Sequence, residues 1–267
     1  MSDYALEQPP RPDVSHLVTE DDEPVDNLFS EKLQRLLASA LYASWSGPPH
    51  LPANDDESPE CGPRRFLVAA NVGIFMRPQD TPIVPDVLLS TDVALEELSW
   101  TDEERRAYFV WEMGKVPELV IEIVSNRKGD ELTRKLRHYS RLHVSAYVVF
   151  DPRQLLGEEI VRVFTLQGDL LRPVPPTSPP LFEHLGLGLT LWKGSFEGTR
   201  STWLRFTDAA GELLLTGEER ADQERQRADK EGQRADQERQ RADQEQAAKE
   251  AALARIAELE ATLKSQR

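Results

Sequence analysis

The chain has 267 residues, a length that allows one large domain or one domain with attachments rather than two multi-domain halves. With 32 Lys and Arg against 47 Asp and Glu the formal charge is -15, so the molecule lacks the overall positive field of a general nucleic-acid or anionic-membrane binder, and any contact with phosphate must be local. The single cysteine, Cys61, excludes an intramolecular disulfide and a cluster of Cys ligands; no long apolar run suggests a signal peptide or a membrane span, and the chain reads as cytoplasmic.

Residues 1–25 combine four prolines with the acidic run Glu20, Asp21, Asp22 and Glu23, a composition that buries little and reads as a disordered acidic tail. A folded domain is expected over residues 26–215. Ser30 is placed to cap a helix through EKLQRLLASALYAS, in which Leu33, Leu36, Leu37, Ala40 and Leu41 share one face. After a Pro, Asp, Glu and Gly loop at residues 47–63, the runs FLVAANVGIF and IVPDVLL read as strands. A polar insertion containing ALEELSW and TDEERRAYFVWEM is expected to be helical. ELVIEIV is then a strand, ELTRKLRHYSRL a helix and AYVVFDP a second strand, an order that implies a crossover and parallel pairing. EEIVRVFTLQGDLLRPV reads as a hairpin turning at Gln167, Gly168 and Asp169, and WLRFTDAAGELL as a last short one. The fold class is α/β (α+β): a mixed sheet with helices on its faces.

Residues 216–267 repeat every seven positions, from RADQERQ at Arg220 to RADQEQA at Arg241. A heptad is the period of a helix that supercoils on a partner, yet each of these repeats offers only one alanine to a seam. Only the end, with Leu253, Ile256, Leu259 and Leu263, carries an apolar stripe. A solvated helix held by charge pairs and an oligomerisation coil that makes a homo-oligomer both fit.

Glu122 interrupts Leu119, Val120, Ile121, Ile123 and Val124, a run apolar enough to be buried on both faces of a sheet. A carboxylate there is costly unless it is paired, protonated or bound to a cation. The alternative is a half-exposed strand with Glu118 and Glu122 turned outward. Asp86, after Pro85, is weak alone, because an Asp after Pro often closes a turn. Together on adjacent strands, two carboxylates can hold Mg²⁺ or Mn²⁺, hard ions that prefer oxygen ligands. A nearby Lys would assist a water or stabilise charge on a phosphate.

The elements VPDV at 84–87, PELVIEIVS at 117–125, the following helix with Lys135 and Tyr139, and YVVFDP at 147–152 resemble the Uma-two family of restriction endonucleases, within the PD-(D/E)XK nuclease superfamily. The resemblance extends through LGLGLTLWKGSFEG and WLRFTDAAGELL into the charged tail. It implies a restriction-endonuclease-like fold and a Mg²⁺-dependent (or Mn²⁺-dependent) DNA endonuclease. Asp86 and Glu122 resemble the two acidic metal ligands, and the main-chain carbonyl of Ile123 would be a further ligand. The superfamily's lysine normally stands two residues after the acid, where this chain has Val124; in this family it comes from the next helix, and Lys135 matches that position. The family's usual Ser-Pro and helical Asp are Ser125-Asn126 and Glu131 here. Glu131, four residues before Lys135, can orient it or pair with it on the surface. Glu31 on the first helix is a candidate for completing the site, and Arg127, Lys128 and Arg134 are candidates for contacting DNA phosphates. The rival reading is a non-catalytic scaffold or nucleic-acid-associated module that keeps the nuclease fold and recruits partners through the C-terminal helix. The discriminator is whether Lys135 faces the two carboxylates.

Overall fold

The structure, a computed structural model, describes residues 27–49, 65–93, 107–125, 130–175 and 180–265. The acidic tail 1–25, Cys61, the ALEELSW segment, Arg127 and Lys128 lie outside the described residues.

Helix α1 spans Leu28–Ser44 and buries Leu33, Leu36, Leu37, Ala40 and Leu41, the stripe expected from the 3.6-residue period. Its cap is Asn27 rather than Ser30: Asn27 Oδ1 accepts from the amides of Phe29 at 2.9 Å and Ser30 at 3.0 Å. Ser30 sits inside the first turn, with its hydroxyl buried and without a hydrogen-bond partner among the described residues. Asn27→Ala is therefore expected to cost about 1 kcal/mol, whereas Ser30→Ala should be nearly neutral in urea unfolding.

The first strand run breaks in two, β1 at Phe66–Ala70 and β2 at Ile74–Phe75, because Asn71 between them takes a left-handed conformation with φ 54°. Strand β3 is Val87–Thr91. The described end of the supposed helical insertion is instead β4, Tyr108–Phe109, followed by a single helical turn, α2, Val110–Met113. β4 pairs in parallel with β2.

Strand β5, Leu119–Ile123, is buried at every position, as its apolar composition requires. A π-helical turn, Glu131–Lys135, then runs into α3, Leu136–Leu142, and the chain re-enters the sheet as β6, Ala146–Phe150. β5 and β6 pair in parallel, so α3 is the crossover between them. The expected hairpin forms as β7, Val161–Gln167, and β8, Leu170–Pro173. The sheet order is β1-β3-β5-β6-β7-β8, mixed because the other neighbours are antiparallel.

A second sheet consists of β9, Leu181–Phe182, β10, Leu187–Phe196, and β11, Thr199–Asp208. The last hairpin is thus β10–β11, turning at Glu197-Gly198, and WLRFTDAAGELL supplies its second strand; beyond Asp208 only a single bridge, Thr207 to Leu213, remains of the hairpin expected there.

Among the described residues two large cores follow from this layering, and a third, small cluster holds Phe75, Ala107 and Phe109. One lies between the main sheet, α1 and the second sheet, with Leu37, Ile121, Val148, Phe206 and the fully buried Trp203. The other lies under α3, with Leu88, Val120, Tyr139, Tyr147 and Val149. The described chain divides into two compact units, ending and beginning at Thr216 and Gly217. The second unit is one helix, α4, Gly217–Ser265, whose described side chains are exposed almost throughout. Among the described residues no helix is long and apolar enough to cross a membrane.

Candidate active site

Asp86 stands immediately before β3, and Glu122 is the fourth residue of β5. The antiparallel register sets Val87 opposite Ile121, which brings Asp86 and Glu122 to neighbouring positions at one end of the sheet. Both are buried, 5% and 2% exposed, so each needs compensation for its lost hydration.

The compensation is complete for Glu122. Its Oε2 accepts from Lys135 Nζ at 2.7 Å and its Oε1 accepts from the Tyr139 hydroxyl at 2.7 Å. Lys135 closes the π-helical turn and Tyr139 lies four residues on in α3, so one helical face delivers both donors. Burial pushes the Glu122 carboxyl above the usual carboxylate range, against the pull of Lys135 and Tyr139. Burial also works to lower Lys135, but the charge and hydrogen bond of Glu122, reinforced by Asp86 and Glu131, hold the ammonium above its ordinary pKa. The Tyr139 hydroxyl is raised well above its ordinary value by burial and then by Glu122, which keeps it a donor.

Asp86 is held from two sides. Its Oδ1 accepts from Gln34 Nε2 at 3.0 Å and its Oδ2 accepts from the amide of Ile123 at 2.6 Å. Ile123 thus adjoins the carboxylates, and its amide is the group seen in contact with Asp86. Gln34 also exchanges hydrogen bonds with Asn71, the residue that breaks the first strand run.

The structure brings together Asp86, Glu122, Ile123 and Lys135. Glu131 is also near: it is buried, its carbonyl accepts from the Tyr147 hydroxyl at 3.0 Å, and its Oε2 has no hydrogen-bond partner among the described residues. Glu31 is not part of the group. It pairs with Arg35, which also binds Glu197, in an ion cluster at the surface. The reason is helical: three residues on, the turn points Gln34, not Glu31, at Asp86. Arg134 is exposed in the π-helical turn and pairs with Asp130 at 2.7 Å, with Arg137 and Arg141 exposed on α3.

Sequence reasoning missed the roles of Gln34 and Tyr139, although both left a signal. Gln34 is a polar residue inside the leucine stripe of α1, and Tyr139 lies on the buried face of its helix, where a phenol hydroxyl needs a partner. Tyr139→Phe removes one donor from a buried carboxylate and is expected to cost about 1.5–3 kcal/mol, measured by urea unfolding.

Among the described residues, no three His, Cys, Asp or Glu side chains form a metal-ligand cluster. A separate cavity of about 770 Å³ lies between β7, β8 and β10, lined by Val163, Pro173, Leu189 and Leu204; none of the carboxylate-site residues lines it.

A mixed sheet with helices on its faces, carrying two buried acids on adjacent strands and a lysine from the crossover helix, is a restriction-endonuclease-like architecture. Residues 23–192 match the Uma2 family, described as putative restriction endonuclease, and the chain belongs to that family. No curated protein and no solved structure matches the chain.

Proposed function

We propose that the chain is a divalent-metal-dependent DNA endonuclease in which Asp86 and Glu122 bind the cation and Lys135 assists hydrolysis. The donor set fits Mg²⁺ or Mn²⁺. It offers two carboxylates and main-chain oxygen with no sulfur or imidazole, and Mg²⁺ needs only one or two protein carboxylates because it keeps several waters. When bound, such a cation supplies Lewis-acid stabilisation of phosphate charge and eases loss of a proton from water.

The chain's own residues do the rest. Gln34 and the Ile123 amide fix the Asp86 carboxylate, and Tyr139 fixes that of Glu122, so neither has to reorganise when a charged ligand arrives. The Lys135 ammonium, partly exposed beside both acids, stabilises the negative charge that grows on the phosphate. Exposed Arg134, with Arg127 and Lys128 in the preceding segment, supplies local phosphate contact in an otherwise acidic protein.

The single observation that carries this reading is the 2.7 Å contact of Lys135 with Glu122. Reached from the helix, it gives the site the cation that Val124 cannot supply, and it favours the nuclease over the non-catalytic scaffold. The test is nicking of supercoiled DNA by the full chain with Mg²⁺, Mn²⁺ or EDTA. Metal-dependent nicking that EDTA abolishes is expected, and no cleavage with either metal would return the scaffold to first place.

We further propose that α4 mediates self-association. Ala221, Ala228, Ala235, Ala242 and Ile256 recur at one heptad position, interrupted by Lys249, and are exposed, which leaves a seam for a second copy. Sedimentation should give a larger assembly for the full chain than for one ending at Thr216; the same association state for both would dismiss the seam.

A further inference from the structure

Glu131 poses a problem that the roles above do not solve. It is 7% exposed, it begins the π-helical turn that ends at Lys135, and its Oε2 is buried with no hydrogen-bond partner among the described residues. A buried carboxylate oxygen without a donor is costly and calls for an explanation. Its surroundings supply one. Its charge reaches both Glu122 and Lys135, each of which it helps to raise.

The second half of the problem is Lys135 itself. The ammonium occupies Glu122 Oε2, while Tyr139 occupies Oε1, so both oxygens of the carboxylate are engaged. A divalent cation on Glu122 would share the carboxylate with an ammonium whose Nζ stands 2.7 Å from Oε2, and two cations crowded on one buried carboxylate repel strongly. Lys135 must then move off Glu122 while remaining in the site, and it needs an acceptor. The side chain four residues earlier on the same helical face is Glu131, whose Oε2 is already buried and, among the described residues, without a donor.

The geometry points to Glu131 as a positioning residue: it receives the Lys135 ammonium when a divalent cation takes Glu122, so that the lysine exchanges one carboxylate for the other as the site fills. This rests on the reading of Asp86 and Glu122 as cation ligands. It also gives the lysine its placement during hydrolysis, one side chain away from the acids and directed at the phosphate they would hold. No bond is made or broken in the exchange; one charge-assisted hydrogen bond replaces another.

The test is Mn²⁺ binding to the full chain, read by electron paramagnetic resonance without DNA, in a four-member cycle: wild type, Glu131→Gln, Lys135→Met and the double variant. Glu131→Gln should weaken Mn²⁺ binding about 10- to 100-fold, because a neutral amide accepts the ammonium less strongly than a carboxylate and Lys135 then competes with the ion for Glu122. In the Lys135→Met background the same substitution should change binding by no more than about twofold, since no ammonium has to be displaced. Equal weakening in both backgrounds would mean that Glu131 acts only through its charge or through the fold, and would overturn the exchange; so would unchanged binding by Glu131→Gln. Absence of Mn²⁺ binding to the wild type would be a different failure, that of the cation reading itself. A crystal of the wild type grown with Mn²⁺ decides the matter without any variant: Lys135 Nζ is expected on Glu131, and an ammonium still on Glu122 with the ion bound overturns the proposal.

Discussion

Glu122→Gln is expected to lower metal-dependent DNA cleavage by at least about a hundredfold while leaving the protein folded. Loss of groups that merely support a metal ligand costs 10- to 100-fold, so loss of a ligand's charge should cost no less. The fold should tolerate the change because the amide keeps the shape of the carboxylate. Gln can still accept from Lys135 or Tyr139, and Lys135 is exposed enough, at 26% of its side chain, for water to share its charge. The substitution also removes a carboxylate that burial already disfavours in its charged form. A plasmid-nicking time course beside a thermal melt separates the two effects. Wild-type cleavage by the variant would remove Glu122 from the site.

Lys135→Met is expected to act on stability as well as activity. It strips the cation from a carboxylate that is 2% exposed, and breaking a buried pair from one side costs about 3–5 kcal/mol because the remaining charge is left uncompensated. The sign of the pH dependence follows. Without Lys135, the Glu122 carboxyl, already raised by burial, rises further in the folded state. A carboxyl whose folded pKa lies above its unfolded value of about 4.3 stabilises the fold below that value and loses the contribution as pH rises through the folded pKa. The melting temperature of the variant, relative to wild type, should therefore be closest at acid pH and fall away towards neutrality. Parallel curves across that range would show that Lys135 does not compensate Glu122.

The sequence announced the centre of this network and concealed its surroundings, for physical reasons. Glu122 stood out because a charge inside Leu119–Val124 has no cheap explanation, whereas Asp86 after a proline was ambiguous until the strands were paired. No local pattern links Lys135 to Glu122, thirteen residues away across a strand, a loop and a π-helical turn; only the family resemblance singled it out. Gln34 is hidden by the stronger leucine signal around it, and Glu31 is a candidate only because an acid on the first helix sometimes completes sites of the superfamily. The crossover β5-α3-β6 was legible because its hydrophobic period switches cleanly from strand to helix and back. The β10–β11 hairpin was not, since its turn is Glu197-Gly198, with φ of 44° and 75°, rather than an Asn-Gly pair that would have advertised it. The heptads of α4 set a period without choosing between solvent and a partner, because alanine suits both.

The most direct test of the account titrates one preparation of the full chain with Mn²⁺ and follows ion binding and nicking of supercoiled DNA together. Cleavage that rises with occupancy of the ion, and disappears with EDTA or with Glu122→Gln, is the result the account predicts. A folded chain that binds Mn²⁺ and leaves the DNA intact, or cuts it equally well with EDTA present, would contradict it.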